Sequence, residues 1–179
     1  MNHTEIILAG FGGQGILFAG KMVAYFGLLD GRQVSWLPSY GPEMRGGTAN
    51  CSVCLSDRPI GSPLIVEPDT LIVMNAPSYH KFIDAVKPGG RVFIDSALIS
   101  DTCDRTDVDV HYIPATRLAL DNSLEGMANI IMVGKLLRET AIADMETVDA
   151  TIAKCVPPAK AHLIEANRRA IDIGRAYES

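Results

Sequence analysis

Apolar and polar positions fall into short strand-like runs over the first two thirds of the chain and longer helix-like stretches over the last third. Ile6-Ile7-Leu8-Ala9 is an unbroken apolar run of the kind a sheet buries on both faces, and Gly10-Phe11-Gly12-Gly13-Gln14-Gly15 follows it directly. From Ile16 to about Gly27 the chain is apolar nearly all round, with Lys21 and Tyr25 marking one polar stripe, which predicts a helix covered on most sides. Gln33 to Leu37 predicts a second strand. Thr48 to Leu55 alternates, with Ala49, Cys51, Val53 and Leu55 on one face and Thr48, Asn50 and Ser52 on the other, the pattern of a half-exposed, antiparallel strand. Thr70 to Met74 reads as a central strand. Asn75-Ala76-Pro77 opens a helix ending near Lys87, because proline suits a first helical turn. Pro88-Gly89-Gly90 then turns the chain into the strand Arg91 to Asp95.

The aspartate-rich stretch Asp101 to Asp109 reads as a solvated loop, and His111 to Ile113 as a last short strand before Pro114. Beyond it lies a helix from Gly126 to Arg138, in which Gly126, Ala128 and Gly134 allow close packing. Asn129, lodged among Met127, Ile130 and Ile131, needs a polar partner. Pro157-Pro158 interrupts. A final helix from about Lys160 to Tyr177 carries Leu163, Asn167, Ala170, Ile171 and Gly174 on one face. Strands alternating with helices predict an α/β fold: a three-layer Rossmann-like domain with a mixed, mainly parallel sheet, in one domain spanning 1–179. Ligands of such sheets sit beyond the carboxyl ends of strands. The glycine loop, the Tyr40 to Gly47 loop and Asn75 all fall at candidate ligand-facing ends.

Glycine at the first, third and sixth positions of Gly10 to Gly15 lets the chain turn tightly and brings backbone N–H groups against an anion, typically a phosphate. The dinucleotide version of this motif carries an acid about 20 residues on, at the end of the second strand. Here that strand runs into Pro38-Ser39-Tyr40, and Asp30 comes too early, in a turn. A stand-alone nucleotide-binding oxidoreductase is therefore the minority reading, and a loop that only packs is a third.

At 179 residues the chain is long enough for one real core. A hydrophobic content of 47% against 21% charged residues hints at a buried subunit interface, and a net charge of -5 argues against general nucleic-acid or membrane-surface binding. Met1 to Glu5 lacks the start of a signal peptide, and no apolar run approaches a span of about 18 residues, so a cytoplasmic location is expected. Cys51, Cys54, Cys103 and Cys155 show no cluster spacing. The Cys51-x-x-Cys54 pair lies on a strand, which sends positions three apart to opposite faces, and so reads as packing rather than redox or metal chemistry. His3, His80, His111 and His162 show no ligand spacing.

The glycine loop together with Trp36-Leu37-Pro38-Ser39-Tyr40-Gly41-Pro42-Glu43-Met44-Arg45-Gly46-Gly47-Thr48-Ala49-Asn50-Cys51 resembles the gamma subunit of the 2-oxoacid:ferredoxin oxidoreductases. The resemblance continues through Pro68 to Ile72, Lys87 to Gly90, Pro114-Ala115-Thr116, Ala128-Asn129 and Asn167 to Gly174. It is nearest to the separate-chain gamma subunits of 2-oxoglutarate enzymes, with pyruvate, branched-chain 2-oxoacid and indolepyruvate enzymes as relatives. What it implies is a part in converting a 2-oxoacid, coenzyme A and oxidised ferredoxin to acyl-CoA, carbon dioxide and reduced ferredoxin. The resemblance places thiamine diphosphate and iron-sulfur clusters in alpha, beta and ferredoxin-like delta partner subunits. This chain has no Gly-Asp-Gly segment and no closely spaced cysteine pattern, so inactivity alone is expected, with no catalytic residue and no metal ligand of its own. The resemblance further implies coenzyme A handling and closure over the thiamine site. On that basis Gly12, Gly13, Gln14 and Gly15 are assigned to phosphate, and Ser39, Tyr40 and Arg45 to coenzyme A or the partner's active site. Arg45 fits an interface ion pair with Glu43 equally well, and Tyr40 an interface anchor.

Overall fold

The computed structural model describes residues 3–39 and 48–178. Its strands are β1 (His3–Phe11), β2 (Gln33–Ser39), β3 (Thr48–Ser56), β4 (Thr70–Val73), β5 (Arg91–Asp95) and β6 (Asp109–Ile113). They form one six-stranded sheet in the order β2-β3-β1-β4-β5-β6. β1, β4, β5 and β6 pair in parallel, while β3 is antiparallel to both β1 and β2. Only β3 is reversed, so the sheet is mixed and mainly parallel. β3 is nevertheless more deeply buried than its alternation predicts. Flanked by strands on both edges, it buries Cys54 and Ser56 as well as Cys51, Val53 and Leu55.

The helices are α1 (Ile16–Leu29), α2 (Ala76–Phe82), α3 (Ala115–Asp121), α4 (Ala128–Thr140), α5 (Met145–Cys155) and α6 (Leu163–Ala176). Strand alternation divides the core in two. Ile6 and Leu8 of β1 join Ile72, Phe93 and Ile113 under α1, α3, α4, α5 and α6. Ile7 and Ala9 point the other way, with Leu71, Val73, Val92 and Ile94, under Tyr79 of α2 and the short turn at Ile83–Ala85. The sheet thus carries a thick helical layer on one face and a thin one on the other.

Two helices go beyond those expected from the sequence. α3 is only seven residues long and starts directly behind Pro114. α5 is capped by Asp144, whose carboxylate accepts from Thr147 N at 2.8 Å. The Asp101 to Asp109 stretch is also more than a solvated loop. Arg105 donates to the carbonyls of Ile83 at 2.9 Å and Val86 at 2.7 Å, and Cys103 and Val108 pack against the thin-side core.

α4 and α6 approach closely enough that backbone touches backbone. A Cβ at Gly174 would fall on the Ile131 carbonyl, and one at Gly134 on the Ile171 carbonyl. Gly126 plays a different part from the packing role its position suggests. It has φ +82 with open space around its α-carbon, and turns the chain into α4. Cys51 and Cys54 do face opposite sides. Cys51 Sγ donates to Ile16 O at 3.7 Å and burial pushes its thiol up to about 12, while Cys54 lies near Glu5, Asp69 and Lys87. Among the described residues no helix is long and apolar enough to cross a membrane.

Helix propensity alone favours alanine over glycine inside a helix by about 1 kcal/mol. The α4–α6 contact reverses that sign, so Gly174→Ala is expected to destabilise the chain by about 3 kcal/mol. A lowered urea midpoint at unchanged slope checks this, and a stabilised variant contradicts the contact.

Candidate ligand site at the glycine turn

The chain leaves β1 toward the thick face, where α1 lies, and leaves β4 toward the thin face, where α2 lies. Between these neighbouring parallel strands the connections part, and a crevice opens at their carboxyl ends. That is the position where ligands enter open α/β sheets. The Gly10 to Gly15 turn forms one lip and Met74-Asn75 the other.

Gln14 ties the lips together. Its Oε1 accepts from Phe11 N at 2.6 Å, its Nε2 donates to Met74 O at 2.9 Å, and its own N–H closes the turn on Phe11 O at 3.2 Å. The side chain and the N–H of Gln14 are therefore both committed within the protein. Gly13 and Gly15 have φ +97 and +74, which lets successive peptides reverse direction around this brace. Gly15 is also the N-cap of α1, and no side chain caps that helix end. The first helical bond runs from Ala19 N to Gly15 O at 3.0 Å, which leaves the first-turn N–H groups without intrahelical partners. They border a cavity of about 260 Å³ lined by Gly12, Gly13, Gly15, Ile16, Leu17 and Phe18, and Gly12 and Gly13 are exposed. An uncapped helix end with open N–H groups and no acid in its first turn favours an anion.

On the other side of the turn a cavity of about 230 Å³ is bordered by Gly13, Gln14, Met74, Thr116 and Glu125. Thr116 is fixed by the buried Asp95 at the end of β5, which accepts from Thr116 Oγ1 at 2.6 Å and from Ala97 N at 3.2 Å. Burial pushes the Asp95 carboxyl up, and these hydrogen bonds partly oppose the shift. The residues themselves signalled little of this wall: an aspartate ending a strand and a threonine behind Pro114-Ala115 look ordinary until the turn is closed. Asn75 caps α2 through Oδ1, which accepts from Ser78 N at 2.8 Å.

Ser39 ends β2 and pairs with Asn50, which pairs with Ala9 on β1. Ser39 is thus two strand spacings, about 10 Å, from β1, at the same end of the sheet as the glycine turn. Thr48, the first described residue after the 40–47 segment, pairs with Phe11 beside the turn. Tyr40 and Arg45 lie outside the described residues, but both flanks of their segment stand at this end. Asn129 has the backbone partner its position called for. Its Nδ2 donates to Gly15 O at 2.9 Å, so α4 is pinned to the start of α1. Asn167 bonds within its own helix, to Leu163 O at 2.8 Å. Among the described residues no group of His, Cys, Asp or Glu could hold a metal ion.

Fold and site together define an α/β domain of the switch-point type, with an anion-accepting turn. Residues 5–177 match the family described as pyruvate ferredoxin/flavodoxin oxidoreductase. The chain belongs to that family, among the gamma subunits of the 2-oxoacid:ferredoxin oxidoreductases. It is 40% identical over 158 residues to the 2-oxoglutarate synthase subunit KorC of Methanocaldococcus jannaschii, covering 87% of this chain and 84% of that one. It is 35% identical over 175 residues to the ketoisovalerate oxidoreductase subunit VorA of Methanothermobacter thermautotrophicus, covering 98% of this chain but 36% of that longer one. The crystal structure of the keto/oxoacid ferredoxin oxidoreductase gamma subunit from Geobacter sulfurreducens superposes with a TM-score of 0.80 at 28% identity, over 96% of each chain.

The brace predicts its own mutational signature. Gln14→Glu keeps the shape but removes the donor to Met74 O and sets a carboxylate against that carbonyl. A loss of about 1–3 kcal/mol in urea unfolding is expected. Unchanged stability would show that Gln14 does not hold the crevice.

Proposed function

We propose that this chain serves a complex acting on 2-oxoglutarate, and that it binds the phosphates of coenzyme A at the glycine turn while covering the partner's thiamine diphosphate site. The observation that carries this reading is the uncapped start of α1 opening onto the cavity beside exposed Gly12 and Gly13. Coenzyme A presents a diphosphate and a ribose phosphate, the kind of anion that backbone N–H groups at Gly12, Gly13 and Gly15 are suited to receive. In this reading Gln14 positions those groups rather than touching the ligand with its side chain. Ser39, Tyr40 and Arg45 complete the site from the next loop, with Arg45 supplying a planar, permanently charged fork for phosphate or carboxylate.

The likeness to KorC over nearly the whole of both chains supports 2-oxoglutarate as the substrate of the complex. The 2-oxoacid itself would be selected by partner subunits. Thiamine diphosphate and iron-sulfur clusters there supply the decarboxylation and electron-transfer chemistry, with ferredoxin as acceptor. The role of this chain is to bind and orient the thiol-bearing substrate and to exclude water. We place it in the cytoplasm with alpha, beta and ferredoxin-like delta subunits.

Gly13 provides the test, because a Cβ there meets nothing within 4 Å and would project into open space, while φ +97 adds backbone strain. In the complex reassembled with its partner chains, Gly13→Val is expected to raise the KM for coenzyme A about tenfold with kcat changed much less, as when ground-state binding is lost. An unchanged KM in a folded, assembled complex would mean that the turn only packs. Turnover of 2-oxoglutarate against pyruvate and 2-oxoisovalerate in the same assay tests the substrate assignment.

A further inference from the structure

The start of α1 lacks the side chain that usually secures a helix end. A capping side chain at position 15 would accept from the N–H of Leu17 or Phe18, and both residues border the cavity at the glycine turn. A cap and a bound phosphate would therefore compete for the same donors. Gly15 removes the cap, but it leaves a helix end with a left-handed first residue and a single helical bond, from Ala19 N to Gly15 O at 3.0 Å. Such ends fray. Asn129, in the first turn of α4, supplies the missing restraint from the other side: its Nδ2 donates to the same Gly15 carbonyl at 2.9 Å. The Gly15–Ile16 peptide is planar and trans, so a grip on its C=O also fixes the Ile16 N–H, which points the opposite way. The amide fills the place where a Cβ at position 15 would lie, so this restraint and a capping side chain exclude each other.

Asn129 is a poor choice for stability alone. It is only 4% exposed, and its Oδ1 is buried without a hydrogen-bond partner among the described residues. A leucine of similar shape would avoid that penalty, and Gly15 O would still accept from Ala19 N. The one hydrogen bond the Asn129 side chain does make falls on the anion-accepting turn. Resting on the phosphate reading of that turn, we propose that Asn129 is a positioning residue for coenzyme A: it replaces the N-cap of α1 by a grip on the Gly15 carbonyl, and so holds the N–H groups of Ile16, Leu17 and Phe18 in place and free for phosphate. Gln14 braces the turn, and Asn129 braces the helix start behind it. The donor is carried on a rigid element, because α4 is seated against α6 through Gly134 and Gly174. Asn129 itself touches no ligand and acts through Gly15.

Asn129→Leu removes the donor and keeps the volume. Two readouts test it: amide hydrogen exchange of Ala19 in the full chain, and the KM for coenzyme A in the complex reassembled with its partner chains. Ala19 is expected to exchange about tenfold faster, because the first helical bond opens more often. The KM is expected to rise about fivefold with kcat within about twofold of the native value. Ile131→Val, a core truncation in the same helix, is expected to leave both readouts unchanged, which separates the grip from general destabilisation. If Asn129→Leu fails to fold, Asn129→Ala, which also lacks the donor and crowds nothing, carries the same two expectations. Unchanged Ala19 exchange overturns the proposal whatever the kinetics. A raised KM in Gly13→Val beside an unchanged KM in the Asn129 variant overturns the positioning role and leaves the phosphate reading standing. An unchanged KM in both, with Ala19 exchange raised, removes the phosphate reading and the positioning role with it.

Discussion

The opposite departures of the chain from β1 and β4 are the constraint on which the rest of the molecule depends. Two adjacent parallel strands whose connections go to opposite faces cannot both be covered at their carboxyl ends, so a crevice is inescapable there. An open crevice exposes backbone polar groups that would otherwise pull the lips apart or fill with water. The Gln14 side chain resolves this by bonding Phe11 N on one lip and Met74 O on the other. With those two groups satisfied, the first-turn N–H groups of α1 are left without intrahelical partners beside the cavity at Gly12 and Gly13. The amide is thus the reason the glycine conformations at 13 and 15 are held in one arrangement.

The reversed β3 has a second consequence at the same end of the sheet. In a dinucleotide fold the second strand lies beside the first, and its terminal acid reaches the ribose of a nucleotide bound at the glycine turn. Here β3 occupies that place and displaces β2 to the sheet edge. Even an acid at the end of β2 would stand about 10 Å from β1. The missing acid after Leu37 and the strand order are two expressions of one departure from the dinucleotide pattern. The space a ribose would take is instead approached by the chain entering β3 at Thr48, beside Phe11.

Legibility in the sequence followed the length and purity of each pattern. β5 from Arg91 to Asp95 and α1 from Ile16 were readable to the residue at their starts, because a proline-glycine turn and a glycine loop mark them. The antiparallel sense of β3 was readable from clean alternation, but its depth was not, since burial on the second face depends on a strand order that no local pattern encodes. α3 is too short for periodicity to declare itself. α5 does carry a signal: Asp144 three residues before Thr147, then Val148, Ile152 and Cys155 at helical spacing and buried. At the site, the glycine turn, the Tyr40 to Gly47 loop and Asn75 were legible as candidates for one end of the sheet; the first and last do share it, and the loop lies outside the described residues. The brace was not, because a glutamine between glycines looks like a ligand contact until its partner, a carbonyl 60 residues away, is brought beside it.

Charge near the turn links the fold to assembly. Among the described residues, the two cavities flanking the turn have no Lys or Arg on their borders, and one of them has Glu125. The helix end supplies only a partial positive charge, too little to hold a diphosphate in water without help. In the proposed coenzyme A reading, Arg45 or another chain would supply the full cation. Under the proposed reading, weak affinity in the separate chain and strong affinity once the crevice is covered and desolvated would follow from the same electrostatics, because screening by water falls as a site closes.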